Sequence, residues 1–166
     1  MACFQIQSLA MWRSWTLVLT CAATLFAQKY AGPQPEKPDL PYLLHADSLV
    51  PTEAGVAKEE NRKGDVVAVV DGATSSAATP LATPSFLIRV EQLAPEKLEI
   101  YKMEARNGRR EVILSRKKKQ VARPIRANVI RLGENLFKIE VGQSLENGEY
   151  TISPSGVDQV FCFRVY

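Results

Sequence analysis

The chain has 166 residues, 46% of them apolar and 23% charged, with a formal net charge of +3. That length fits one domain, and that balance excludes a fibrous, collagen-like or wholly disordered polypeptide. Three cysteines are too few for a disulfide-dense scaffold, and Cys3, Cys21, His45 and Cys162 are too scattered to form a His/Cys cluster with zinc-ligand spacing.

The N-terminus departs from this average. Met1 to Arg13 carries one positive charge, and Ser14 to Ala27 is uncharged and mostly apolar. The pattern predicts a secretory signal peptide over residues 1–27, cleaved after Ala27, with a site after Ala23 as the alternative. Cys21 follows Val18-Leu19-Thr20, a poor fit to lipoprotein processing. The apolar run is shorter than the roughly 20 residues a membrane helix needs, and no later stretch is long enough. A secreted or periplasmic protein is expected. Cleavage removes Cys3 and Cys21, so Cys162 remains alone without an intramolecular disulfide partner. Flanked by Phe161 and Phe163, it is expected to be a small buried hydrophobe.

Residues 28–41 are rich in Pro and read as a semi-extended linker. The expected folded domain, 42–166, opens on a short strand at Tyr42 to Ala46, which Ser48 to Pro51 prolongs after a break. Lys58 to Asp65 reads as a mixed-charge connection. The β-branched run Val66 to Val70 reads as a buried central strand. Ala73 to Pro84 is a long loop of Ala, Ser, Thr and Pro, expected to be mobile or functional. Strands resume at Phe86 to Val90 and at Leu98 to Ala105.

Asn107-Gly108 is the strongest local signal, since both residues tolerate the positive φ of a tight two-residue hairpin. If Arg106 opposes Arg109, then Tyr101, Met103, Val112 and Leu114 share one apolar face. The same register sets Glu104 against Glu111, with Arg109 and Arg106 on the diagonals to compensate. Ile125 to Arg131 and Phe137 to Val141 alternate apolar with polar residues, as half-buried strands do.

The last residues close the fold. Leu145-Glu146-Asn147-Gly148-Glu149-Tyr150 places a turn before Tyr150-Thr151-Ile152. Ser153 to Gly156 reverses the chain, and Val160 to Tyr166 is apolar at nearly every position, as expected for a strand covered on both faces. The Leu145-x-x-Gly148-x-Tyr150 spacing resembles the tyrosine corner of immunoglobulin and fibronectin type III domains, in which the tyrosine hydroxyl folds back onto the preceding turn. The resemblance implies an all-β, Ig-like antiparallel β-sandwich. The strand pattern independently calls for about seven to nine strands in two antiparallel sheets.

Charge is unevenly placed. Between Arg106 and Arg131 lie ten Lys or Arg against one acid, Glu111, so the remainder of the processed chain is net acidic. Arg109, Arg110, Arg116, Lys117, Lys118, Lys119, Arg123 and Arg126 are the candidate ligand-binding residues. Such a segment attracts polyanions in a salt-dependent way, or it decorates a solvated sheet edge. No aromatic residues interleave as a base-stacking platform requires, so an envelope protein, an acidic glycan or an anionic lipid surface is expected as partner in preference to nucleic acid.

Enzymatic chemistry finds little footing. His45 has no Gly-x-Ser-x-Gly partner, no phosphate-binding glycine loop occurs, and no acid spacing matches a calcium loop. No catalytic residue, metal or cofactor is expected. The sequence predicts a non-catalytic Ig-like interaction or structural module of the cell envelope or extracellular space. The alternative is a polyanion-binding module that uses segment 106–131.

Overall fold

A computed structural model describes residues 30–117 and 119–166. The predicted signal peptide and Lys118 lie outside the described residues. In chain order the strands are β1 (Tyr42–His45), β2 (Ser48–Pro51), β3 (Glu53–Val56), β4 (Lys58–Arg62), β5 (Asp65–Asp71), β6 (Ala78–Thr79) and β7 (Ser85–Arg89). After a 3-10 turn at Pro95–Lys97 come β8 (Leu98–Arg106), β9 (Arg109–Arg116), β10 (Lys119–Gln120), β11 (Ala127–Arg131), β12 (Leu136–Val141), β13 (Gly148–Pro154) and β14 (Gln159–Val165).

The protein is all-β. A smaller sheet has the order β11-β12-β7-β1-β2, and a larger one runs β3-β14-β13-β8-β9-β5-β4, with β10 added to β9 and β6 to β14. Pairing is antiparallel except between β6 and β14. The larger sheet is a strongly curled half-barrel in place of the flat layer an immunoglobulin-type sandwich would supply.

Its topology shows the cause of the curl. β3 and β4 are separated only by Ala57, yet they form the two opposite edges of the sheet. One stretch of chain thus pairs with β14 through Glu53–Val56 and with β5 through Lys58–Arg62. A sheet whose two edges are consecutive residues must bend round on itself. β8 bends with it, pairing with β13 through Leu98 to Met103 and with β9 only through Glu104 to Arg106.

The curl divides the apolar residues into two cores. Between the sheets, Leu43, Phe86, Ile88 and Ile139 pack against Tyr150, Ile152, Phe161 and Phe163. The Phe86 and Phe163 rings meet edge-on at 4.9 Å, and Tyr150 stacks on Phe163 at 5.4 Å, geometries that suit the ring quadrupoles. Inside the half-barrel, Val70, Met103, Val112, Val160 and Cys162 form the second core, with Tyr101 and Leu114 against it. β14 therefore serves both cores by simple alternation, which explains its continuous apolar run. Burial pushes the Cys162 thiol above its ordinary pKa, as expected for an inert side chain.

Several expectations are corrected. Ser48 to Pro51 does not prolong β1 but turns back on it, with His45 opposite Ser48 and Ala46 at φ 50°. The charged connection Lys58 to Asp65 is a hairpin: β4 pairs with β5 around Lys63-Gly64, both at positive φ. Its polar sequence hides a strand because β4 is an exposed edge.

The 73–84 loop is fastened along β14, where Arg164 and Tyr166 donate their N–H groups to the carbonyls of Ala77 and Thr79. His45 Nε2 lies 2.8 Å from the Thr79 hydroxyl, tying β1 to this loop. The near end of the Pro-rich linker is docked. Asp39 accepts the N–H groups of Glu91, Gln92 and Leu93, and Arg89 donates to the Glu36 carbonyl. Burial raises the Asp39 carboxyl, but those three N–H bonds outweigh it and hold the pKa below the usual value.

Candidate functional site

The Asn107-Gly108 turn forms as predicted, with φ of 51° and 75° and Arg106 opposite Arg109. Regular pairing then stops at Glu104 and Glu111, and β8 and β9 part. The segment that follows β9 fills the wedge. Lys119 and Gln120 pair with Arg116 and Ser115; Val121 and Ala122 both donate to the Leu114 carbonyl; Ile125 donates to the Ile100 carbonyl at 2.7 Å. Lys117, at a left-handed φ of 46°, leads toward residues 119–126, which form a strap laid across the gap.

The parting strands and the strap enclose a groove of about 330 Å³. Tyr101, Val112, Val121 and Ile125 supply its apolar lining, and its charged lining sets Lys102, Arg106, Arg116 and Arg123 against Glu104 and Glu111.

The candidate basic residues fall into two groups. Arg109 and Arg116 belong to a cross-strand ladder of ion pairs. Arg109 reaches Glu60 at 3.2 Å and Asp71 at 3.7 Å, and Arg116 reaches Asp65 at 3.4 Å. Arg62 binds Glu60 at 2.6 Å and Glu111 at 2.9 Å, and Arg106 binds Glu104 at 3.0 Å. The like-charged Glu104 and Glu111 are indeed opposite one another, and the diagonal Arg106 charge does favour the Glu111 carboxylate, but the direct ion pairs lie elsewhere. Arg106 pairs with Glu104 on its own strand, and Arg62 from β4 pairs with Glu111. The hydrogen bond from Arg62 dominates at Glu111 and holds its carboxyl below the usual range.

Lys117, Lys119, Arg123 and Arg126 form the second group. All four side chains are exposed, and among the described residues no carboxylate lies within ion-pair distance of them. Lys118, between them in sequence, lies outside the described residues.

Arg110 is a correction. It is fully buried, and its guanidinium donates to the Gly72 and Asp71 carbonyls, each at 3.0 Å, and to Glu53 at 2.5 Å. It closes one end of the half-barrel from inside and is not on a binding surface. Burial pushes the Glu53 carboxyl up, but the Arg110 hydrogen bond, the Ser76 N–H and the guanidinium charge together hold it below its ordinary pKa.

No protein-family model, curated protein or solved structure matches the chain. Functional argument therefore rests on the site itself. Among the described residues no group of three or more His, Cys, Asp or Glu is arranged to hold a metal ion.

Proposed function

We propose that this chain is a non-catalytic interaction module, working outside the cytosol, that engages an anionic partner through its strap. The extracytosolic location rests on the leader-like sequence of residues 1–27. Support for the strap comes from one observation: among the described residues Lys117, Lys119, Arg123 and Arg126 stay exposed without carboxylate partners, while neighbouring acids absorb Arg106, Arg109 and Arg116.

A cation already paired with a carboxylate must lose that partner to gain a new one. One that faces only water exchanges water and counterions, which favours binding and makes it salt-sensitive. The groove beside the strap adds an apolar lining, so acidic groups carried on a partly apolar scaffold suit it: an acidic protein, an anionic lipid surface or an acidic glycan. The Ig-like reading of the fold belongs to the same proposal. Its support is the Tyr150 hydroxyl, which donates to the Glu146 carbonyl at 2.8 Å, as a tyrosine corner does.

The test is retention on a sulfated polysaccharide matrix. The Lys117→Ser/Lys119→Ser/Arg123→Ser variant should elute at clearly lower salt than the parent with an unchanged melting temperature. Equal retention of variant and parent would remove the strap from the binding surface.

A further inference from the structure

The concave side of the half-barrel holds a narrow slot of about 90 Å³ between Ala68, Val70, Met103, Val112 and Val160. It exists because Ala57 and Ala68 present methyl groups to the interior where neighbouring positions carry larger side chains. The slot opens at the end of the half-barrel away from Arg110. There Tyr101, Leu114, Ser153 and Val157 are shared with a wider mouth of about 290 Å³. Val157 is 53% exposed at this rim.

The mouth has one sign of charge. Glu59, Glu99 and Asp158 line it, and among the described residues no Lys or Arg lines either the mouth or the slot. Among the described residues none of these three carboxylates has an ion-pair partner. Glu99 accepts the Tyr101 hydroxyl at 2.8 Å, which holds that ring at the threshold between slot and mouth.

We propose that this slot binds a small cationic amphiphile, with an ammonium head among the mouth carboxylates and a short aliphatic tail in the slot. Charge complementarity selects the head, because an anion would meet three carboxylates and no cation. Volume selects the tail. A cavity of about 150 Å³ admits benzene, so the slot of about 90 Å³ is too small for a ring; it takes the end of an unbranched chain, whose carbons nearer the head lie in the wider mouth. The tail gains the apolar burial that Val157 and the slot walls otherwise leave incomplete. This site shares Tyr101 and Val112 with the groove beside the strap but none of the strap cations, and it takes a ligand of the opposite charge.

The experiment is an NMR titration of the folded protein with hexylammonium and, separately, with hexyl sulfate. Hexylammonium should shift the methyl signals of Met103, Val112 and Val160 saturably, and hexyl sulfate should leave them in place. Replacing Glu59→Gln and Asp158→Asn, both exposed, should weaken hexylammonium by about two- to fivefold per carboxylate. Ala68→Leu should fill the slot and abolish the methyl shifts. The Lys117→Ser/Lys119→Ser/Arg123→Ser variant should bind hexylammonium as the parent does, so failure of the strap reading and failure of this one are distinguishable. The proposal is overturned if hexyl sulfate shifts the same methyls equally, if hexylammonium moves only rim signals, or if a basic apolar peptide binds where hexylammonium does not.

Discussion

Arg110 shows how one residue can be read in two ways. Within a run of cations at a hairpin tip it passes for a surface charge. Yet the predicted register already placed Val112 and Leu114 inward, and Arg110 has their parity along β9. The structure pairs it with Val70 on the interior face, where Glu53 and two carbonyls receive the guanidinium. Strand alternation was the overlooked signal. Removing one partner of a buried pair strands the other, so Arg110→Ala should cost about 3–5 kcal/mol in a denaturant melt. The double change Arg110→Met/Glu53→Gln should recover part of that loss; a variant as unstable as Arg110→Ala alone would contradict the pairing argument.

The same pair carries a pH dependence. Glu53 has a folded-state pKa below the ordinary glutamate value of 4.5, so the unfolded chain binds its proton more readily. Its contribution is present above pH 4.5 and is lost as pH falls through the lower folded-state value. Glu53→Gln should therefore be less stable than the parent at pH 7, and the gap should narrow on acidification below 4.5. A gap that widened there would reverse the assigned sign.

At the level of elements, β14 connects the most structure. It pairs with β3, β13 and β6 and feeds alternate side chains into both cores. A chain ending before Phe161 should show no cooperative melt. Phe163→Ala, which removes the ring between Phe86 and Tyr150, should cost about 3–5 kcal/mol. Tyr150→Phe loses one hydrogen bond, to the Glu146 carbonyl, and should cost about 1 kcal/mol. If Phe163→Ala cost no more than Tyr150→Phe, packing between the sheets would not dominate.

The apolar strands, the Asn-Gly turn and the closing unit were legible because periodicity and turn chemistry report burial and φ directly. β3, β4 and β10 were not. They are short, polar or exposed, and only their partners' hydrogen bonds make them strands. The curl was hidden for the same reason: it depends on one stretch, Glu53 to Arg62, supplying both edges of a sheet.

Over the whole molecule, the lopsided charge read from the sequence is largely corrected by folding. β4 and β5 bring Glu60, Asp65 and Asp71 against the basic hairpin, neutralising the part nearest the turn and leaving the strap uncompensated. Sequence showed where cations cluster but not which would meet acids, because the acids come from 38 to 51 residues earlier across a fold no local pattern reveals. Exposed surface pairs are individually worth little, about 0–1 kcal/mol. Their effect here is on recognition, through the cations they occupy.

The decisive comparison sets the two groups of cations against each other. Two variants, Lys117→Ser/Lys119→Ser/Arg123→Ser/Arg126→Ser and the ladder variant Arg62→Ser/Arg109→Ser, which leaves the groove lining intact, are titrated with a sulfated polysaccharide over a range of salt. The strap variant should lose most of the affinity and flatten the salt dependence, while the ladder variant keeps both near the parent. Equal losses, or a greater loss in the ladder variant, would contradict the account.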